Sequence, residues 1–232
     1  PQYIRKAGEI GCLTHLNTNG SLLTEEMVEH LMKAGLDSIK FSFQGVDRKS
    51  FREMRNRDFF DELLARVKRL YDRRGDGHKP YIHVSTTITY ETPEQVRAFR
   101  NRVAPFADLV TVGHTALEHI VPEKTRLSEA DKATLRVLKE KESVLRVHPE
   151  CPEVYDKLSV NWDGTVSACC ADYDDQMLVG DIRTETLADI WKCPKLNAYR
   201  KLLAEMRHDE LPVCRLCWDY SGLKHPGGTR KT

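Results

Sequence analysis

The sequence predicts an α/β protein: part of a parallel (β/α) barrel, followed by a small α+β module that is rich in cysteine. Over residues 1–145, short strand-like runs alternate with amphipathic segments of helical length, a pattern typical of parallel strands joined by right-handed crossovers. After residue 145 the segments become shorter, and most of the seven cysteines lie there. We therefore predict a first domain over 1–145 that ends in a linker helix, a second over 146–222, and a disordered tail over 223–232.

The first part contains candidate strands with candidate helices around them. The strands are expected at 13–18, 38–43, 81–89 and 109–115, and the helices at 24–34, 47–55, 58–73 and 92–103. Thr92 precedes Pro93 and lies three residues before Gln95, which is the pattern of a capped helix start. Gly35 stands where the helix over 24–34 is expected to end. A charged helix over 128–143, with Ser128 as its cap, is expected to join the two parts.

The candidate strands alternate polar and apolar side chains. Ile39 and Phe41 alternate with Lys40 and Ser42, and the strand over 81–89 repeats the pattern. A parallel strand buried on both faces would be apolar throughout, so one face is expected to pack under helices while the other lines a polar, ligand-holding cavity. An antiparallel sheet facing water would alternate in the same way, but the intervening helices disfavour it. As a further alternative to a ligand cavity, these polar side chains could lie in a closed core and hydrogen-bond to one another.

The second module begins near Cys151. Residues 157–162 and 165–168 are expected to form a hairpin around Asp163-Gly164, a strong two-residue turn signal. A turn over 179–182 and helices over 187–191 and 196–207 are expected to follow. A unit of this size has little core of its own, so metal ligation would supply the missing stability.

Composition excludes several classes of function. The chain has 232 residues, a formal charge of +1 and 40% hydrophobic residues. This balance argues against a general nucleic-acid or membrane-surface binder, and no apolar run is long enough to cross a bilayer. Free cysteines favour the reducing cytoplasm. The chain opens at Pro1 without Met and passes directly into a helix-like segment, which we interpret as truncation of a longer protein.

The cysteines of the second module follow the layout of a metal site. A single Cys151 is followed by Gly164-x4-Cys169 and, after a long gap, by Cys214-x2-Cys217. A CxxC pair can put two thiolates on one ion or cluster while distant cysteines complete the shell. Disulfides are disfavoured because the total is odd and no signal peptide is visible. Spacing alone leaves structural zinc and an iron–sulfur cluster open.

Several stretches resemble radical S-adenosylmethionine (SAM) enzymes with a C-terminal SPASM or twitch extension. Residues 17–24, which read NTNGSLLT, resemble the third barrel strand of that family, and residues 37–45, which read DSIKFSFQG, resemble the fourth. The cysteine framework, with Gly180-Asp181-Ile182 and Ile190-Trp191, resembles the extension. The Cys-x3-Cys-x2-Cys motif of the family is absent from the 232 residues, as is its Gly-Gly-Glu type motif.

The resemblance implies two sets of ligands. An auxiliary 4Fe–4S cluster would be held by Cys151, Cys169, Cys214 and Cys217. Cys170 is disfavoured beside Cys169 because consecutive side chains of an extended segment point to opposite faces. The count fits the twitch form with a single auxiliary cluster, and His148 is a fallback ligand. SAM and a second 4Fe–4S cluster would belong to the full-length protein, with Ser42 and Arg55 binding the ribose and amino-acid end of SAM.

Other residues receive lesser roles. Gln44, Ser85 and Thr87 share the polar face and are expected to touch the cofactor or the substrate. His83 and His114 are candidate proton acceptors. Cys12 and Cys193 are interpreted as ordinary small buried residues.

In the parent family a reduced cluster splits SAM to a deoxyadenosyl radical, which abstracts a substrate hydrogen. The resemblance therefore implies a radical oxidoreductase acting on a small molecule or peptide, with a reductant such as flavodoxin or ferredoxin and the auxiliary cluster as electron acceptor. Modification of a peptide or protein side chain is the alternative within the family. From another class, a non-catalytic zinc-binding adaptor remains open. No nucleic-acid or membrane partner is expected.

Overall fold

The computed structural model describes residues 1–114, 122–124, 128–141 and 151–217. The chain divides into two compact units, Pro1–Ala116 and Leu117–Thr232. The predicted boundary at 145 stays a prediction. His148 and the tail over 223–232 lie outside the described residues.

The first unit alternates helices with the strands of one sheet. Its elements are α1 (Gln2–Glu9), β1 (His15–Thr18), α2 (Glu25–Lys33), β2 (Ser38–Ser42), α3 (Arg48–Arg55), α4 (Phe60–Arg74), β3 (Tyr81–Ile88), α5 (Pro93–Val103), a 3₁₀ turn (Ala104–Phe106) and β4 (Leu109–His114). The strands lie in the order β1-β2-β3-β4, and each neighbouring pair is parallel. This confirms the α/β class. Within the described residues the sheet is open and does not close into a barrel.

The two faces of the sheet differ as predicted. Ile39, Phe41 and Val84 are fully buried on one face, whereas the residues that alternate with them are partly exposed on the other. The buried face packs against a cluster of edge-to-face aromatic rings, in which Phe43 lies 5.6 Å from Phe60 and 5.7 Å from Phe99, measured between ring centroids. Such ring pairs add to the stabilisation that apolar burial gives. The polar face is therefore held by a well-packed layer beneath it.

Local signals begin and end the helices as expected. The Thr92 hydroxyl accepts a hydrogen bond from the Gln95 backbone, and the Gln95 side chain accepts one from the Thr92 backbone, which completes a capping box. Asp47 and Ser50 form an equivalent box at the start of α3. Gly35 follows α2 with a φ of +79°, a conformation that favours glycine.

The carboxyl end of β2 turns sharply into α3. Gly45 has a φ of +71°, and a Cβ there would collide with Ser50. The Thr86 hydroxyl donates to the Gly45 carbonyl, while the Ser50 hydroxyl accepts from the backbone of Val46. This turn holds the end of β2 close to the start of α3.

The second unit contains short elements around a small antiparallel sheet. They are a 3₁₀ turn (Pro122–Lys124), α6 (Glu129–Lys141), α7 (Glu153–Asp156), β5 (Ser159–Val160), β6 (Thr165–Ser167), β7 (Leu178–Asp181), α8 (Leu187–Lys192), α9 (Pro194–Ala204) and two further 3₁₀ turns (His208–Glu210 and Cys214–Leu216). The sheet order is β5-β6-β7. Its core is separate from that of the first unit and includes Val166, Met177, Ile190 and Leu196.

Two sequence expectations for this unit were wrong in detail. The hairpin exists, but Asn161 pairs with Thr165, so Trp162 lies in the loop with Asp163 and Gly164 and is 99% exposed. A positive φ at the last loop position is typical of such three-residue hairpins.

The segment predicted as a turn over 179–182 belongs largely to strand β7, which pairs with β6. Gly180 is required in this strand because a Cβ would lie 2.6 Å from Ile190 Cγ1. The glycine therefore reflects close packing of α8 on the sheet and not a turn.

No helix in the described parts of the chain is both long and apolar enough to cross a membrane.

Candidate functional site

The first candidate site lies on the polar face of the parallel sheet, at the carboxyl ends of β2 and β3. Ser42 pairs in register with Ser85, and the backbone amide of Phe43 donates to the Ser85 carbonyl at 2.7 Å. Two residues further, the Gly45 amide donates to the Thr87 carbonyl at 2.9 Å. The structure thus brings Ser42, Gln44, Ser85 and Thr87 together as neighbours with partly exposed side chains. Such carboxyl ends are the usual place for ligands in parallel α/β sheets.

Arg55 reaches the same place from the end of α3. Its Nη2 donates to the Ser42 carbonyl at 3.4 Å. The helix ends at once, because Asn56 takes a left-handed conformation with a φ of +52°. A guanidinium carries five N–H donors, so Arg55 retains donors that can pair with a carboxylate.

The same polar face carries His83 in the next row toward the amino ends of the strands. Its Nε2 lies 2.7 Å from Thr111 Oγ1. Burial lowers the pKa of His83, and the nearby Lys40 and His15 charges lower it further. The imidazole is therefore neutral near pH 7 and able to accept a proton. The side chain of His114 lies outside the described residues.

The second candidate site is a group of thiols in the second unit. Cys214 is buried, and burial raises the pKa of its thiol to about 12, with further rises caused by the charges of Cys151, Cys169 and Cys217. Burial also raises the pKa of Cys169 to about 11, with Cys170 and Cys151 contributing. The charges of Cys151, Cys169 and Cys217 therefore act on Cys214, although these four residues come from three separate segments.

The remaining cysteines occupy different surroundings. Cys170 is exposed, and its Sγ lies 3.5 Å from Glu153 Oε2. The expectation that Cys12 and Cys193 are buried was wrong: Cys12 is exposed and Cys193 is partly exposed. Cys193 has a local structural role, because its Sγ accepts from the Leu196 amide at the start of α9 and lies 3.4 Å from the Val179 carbonyl.

The donor set can be tested against the two kinds of metal centre. Within the described ranges, no three His, Cys, Asp or Glu side chains form a group that could hold a metal ion directly. A multi-iron cluster requires a wider spacing of its ligands than a single metal ion does. Each thiolate binds a different iron, so the ligand sulfurs lie farther apart than they do around one ion. Four neighbouring thiols fit such a cluster, whose protein ligands are Cys thiolates. Their assignment as ligands stays a prediction.

Sequence reasoning missed two residues that position the thiol segments. Asp172 is buried, and its carboxylate accepts from Ser167 Oγ at 2.6 Å and from the amides of Gln176 and Met177 at 2.8 Å. It therefore fixes the loop that follows Cys169. In the sequence it stands among aspartates and tyrosine, which is typical of a solvated loop, so no local signal distinguished it.

Arg200 is the other positioning residue that was missed. Its Nε donates to the Val154 carbonyl and its Nη1 to the Trp191 carbonyl, both at 2.8 Å. The guanidinium lies 4.2 Å from the centroid of the Trp191 ring. Through these contacts Arg200 anchors α7, which begins two residues after Cys151.

Fold and site together define an α/β protein with a polar ligand face and a separate thiol-rich module. Residues 2–103 match the sequence model of the radical SAM superfamily, and residues 151–218 match that of SPASM, an iron–sulfur cluster-binding domain. The chain belongs to the radical SAM superfamily and carries a SPASM domain. The first domain implies SAM and a 4Fe–4S cluster, and the second implies auxiliary iron–sulfur clusters.

Known proteins match over different lengths. A PqqA peptide cyclase of Granulibacter bethesdensis is 51% identical over 47 residues, which are 20% of this chain and 13% of that protein. A tungsten-containing aldehyde ferredoxin oxidoreductase cofactor-modifying protein of Pyrococcus furiosus is 24% identical over 92% of this chain and 68% of its own. The chain thus spans only a small part of some curated relatives.

Among solved structures, anSMEcpe with bound AdoMet and a Cp18Cys peptide matches with a TM-score of 0.59 and 14% identity. The match covers 97% of this chain and 72% of anSMEcpe. At this identity the likeness establishes the fold.

Proposed function

We propose that these residues belong to a radical SAM oxidoreductase that removes a hydrogen atom, a proton and one electron from its substrate. The observation that carries the proposal is the set of thiols around Cys214. A cluster with four cysteine ligands has no open iron, so its natural role is electron transfer and not substrate binding. An auxiliary cluster of this kind can accept an electron that leaves the substrate.

The chain's own residues have distinct roles in this proposal. Arg55 pairs with the carboxylate of SAM, and Ser42 binds its ribose. Gln44, Ser85 and Thr87 contact the cofactor or the substrate. When bound, SAM and its cluster supply the radical that removes the hydrogen atom, and the auxiliary cluster accepts the electron. His83, held neutral by burial and nearby charges, is the candidate acceptor for the proton.

The electron count identifies the type of reaction. Loss of a hydrogen atom removes one electron and one proton, and the later loss of a proton and an electron brings the total to two of each. The substrate is therefore oxidised by two electrons, as when an alcohol becomes a ketone. No oxygen atom is added in this sequence.

Peptide modification is the second candidate. It is supported by the PqqA peptide cyclase, at 51% identity over the matched residues, and by the peptide bound to anSMEcpe. A peptide substrate is compatible with the same residues, because the radical step and the electron acceptor would be unchanged.

SAM cleavage tests both candidates. The 232 residues contain no Cys-x3-Cys-x2-Cys motif, so the experiment uses the longest protein that the gene encodes. Anaerobically purified protein is incubated with SAM and a reductant such as reduced flavodoxin. We expect deoxyadenosine to form in proportion to an oxidised product from a small molecule or a peptide. Persistent absence of deoxyadenosine would remove both candidates, and colourless protein with one bound zinc would favour a zinc-binding adaptor.

Replacement of Arg55 tests the proposed cofactor contact. We expect Arg55→Ala to weaken SAM binding about tenfold, because a hydrogen bond to a charged group contributes about 1.5–3 kcal/mol. Arg55→Lys should be intermediate, since lysine keeps the charge but cannot pair in a bidentate way. Arg52→Ala, which removes another exposed arginine of the same helix, is the matched control. Equal SAM affinity of the Arg55→Ala and Arg52→Ala proteins in calorimetry would disprove the contact.

A further inference from the structure

Lys40 has unusual surroundings for a charged side chain. It lies on the polar face of the sheet and is only partly exposed. Within the described residues of the first unit, it is the one lysine or arginine that is not fully exposed and has no hydrogen bond or ion pair. Arg66 and Arg74, the other cations of similar exposure, pair with Glu62 and Asp108.

The neighbours of Lys40 are hydrogen-bond donors. Lys40 pairs in register with Asn17 on β1 and with His83 on β3, so the three residues form one row across adjacent strands. Adjacent strands lie about 4.8 Å apart, which lets an ammonium, an amide and an imidazole approach one small group. His15 adjoins this row, with its Nε2 3.1 Å from Asn17 Oδ1.

The same face lacks negative charge. Among the described residues whose side chains alternate onto it from β1 to β4, none is Asp or Glu. The nearest strand-end carboxylates are used elsewhere: Asp37 binds Lys79 and Thr14, and Asp108 binds Arg74. Burial lowers the pKa of His83, and the nearby charges of Lys40 and His15 lower it further, so both cations lie close to this row.

A lysine ammonium on a polar face that carries no carboxylate is free to pair with an anionic oxygen group of a ligand. We infer that the row of Asn17, Lys40 and His83 is a binding site for an anionic oxygen group of the substrate, either a carboxylate or a phosphate. The inference rests on the proposed function only for naming the occupant as substrate. The row lies two residues from Ser42 along β2, about 7 Å from the proposed SAM contacts, which suits a substrate placed beside the cofactor.

Calorimetric titration with inorganic phosphate and, separately, with succinate tests the site on the full-length protein. We expect at least one of these anions to bind, and Lys40→Gln to weaken that binding at least about tenfold, the value of one charge-assisted hydrogen bond. Lys49→Gln, at an exposed position where the side chain has no partner among the described residues, should bind like the wild type. The anion that binds identifies the group. Because calorimetry needs no SAM cleavage, the result is separate from the test of the proposed function.

Three outcomes would overturn the inference. The first is that neither anion binds the wild type, and the second is that Lys40→Gln and Lys49→Gln bind alike. The third is displacement of the anion by saturating SAM, which would assign the site to the carboxylate of SAM.

Two further measurements address the stability and the folding of the Lys40→Gln variant. An ion pair of Lys40 with another part of the protein would lower the unfolding temperature of Lys40→Gln, whereas removal of an unpaired cation should leave it unchanged or raise it. If the variant does not fold, NMR of wild-type protein with ¹³C-methylated lysines gives the answer. The Lys40 resonance should shift on addition of the anion while that of Lys49 should not.

Discussion

Cys169→Ser should abolish cluster binding by the 232-residue chain, whereas Cys170→Ser should not. The two cysteines are adjacent in sequence but differ in their surroundings. Cys169 contributes, with Cys151 and Cys217, to the charges that raise the pKa of Cys214, while Cys170 is exposed and lies next to Glu153. We expect Cys169→Ser to retain less than about a tenth of the wild-type iron after anaerobic reconstitution, because the binding free energy of such a centre depends on a complete ligand set. Iron and sulfide analysis, with visible absorption, measures the outcome.

The pair of variants is its own control. Both substitutions change one sulfur to oxygen within the same loop, so a general loss of folding would affect both. Since this chain contains no Cys-x3-Cys-x2-Cys motif, iron bound by it reports on the second unit. If Cys169→Ser keeps its iron and Cys170→Ser loses it, then Cys170 is the cluster ligand and Cys169 is not. Full retention by both variants would disprove the ligand set.

The cluster should also assemble more readily as pH rises. Burial and neighbouring thiolates raise the pKa of Cys214 to about 12 and of Cys169 to about 11, so both thiols are protonated at neutral pH before metal enters. Metal binding must release those protons, which weakens it at low pH.

Much of the first unit could be predicted because its local and long-range signals agree. The strand over 38–42 shows strict alternation, and the helix starts at Asp47 and Thr92 carry their own capping residues. Each signal lies within a few residues of the element it specifies. Agreement between such levels is what makes a sequence specify one fold.

The second unit was harder to predict because its conformation depends on contacts between distant segments. Gly180 suggested a turn, yet its small size serves the packing of Ile190 on β7. Cys193 suggested a buried residue, yet its sulfur caps α9. The spacing of the cysteines predicted a set of four ligands, which stays a prediction, and it did not predict the residues that position their segments. Arg200 acts through backbone carbonyls, and no sequence pattern marks such a contact.

Asp172→Ala should destabilise the second unit by about 3 kcal/mol, because it leaves several buried donors without a partner at a cost of about 1–3 kcal/mol for each. The carboxylate accepts from the Ser167 hydroxyl and from the amides of Gln176 and Met177, and Asp172 is itself bound through its amide to the Cys169 carbonyl at 3.2 Å. The substitution should therefore loosen the loop that presents Cys169. We expect faster loss of iron to a chelator as a second effect, since groups that orient metal ligands commonly change affinity about 10–100-fold.

Tryptophan fluorescence measures the unfolding of the second unit specifically. Trp162 and Trp191 lie in the second unit, and the third tryptophan of the sequence, Trp218, comes after them, so denaturant unfolding followed by tryptophan emission reports on that part of the chain. Asp174→Ala is the matched control, because Asp174 is an exposed residue of the same loop with the same charge. It should change the free energy of unfolding by no more than about 0.5 kcal/mol. If the Asp172→Ala and Asp174→Ala proteins unfold at the same denaturant concentration and release iron equally fast, the carboxylate of Asp172 does not hold the Cys169 loop, and the thiols are positioned by the backbone of β6 and α7 alone.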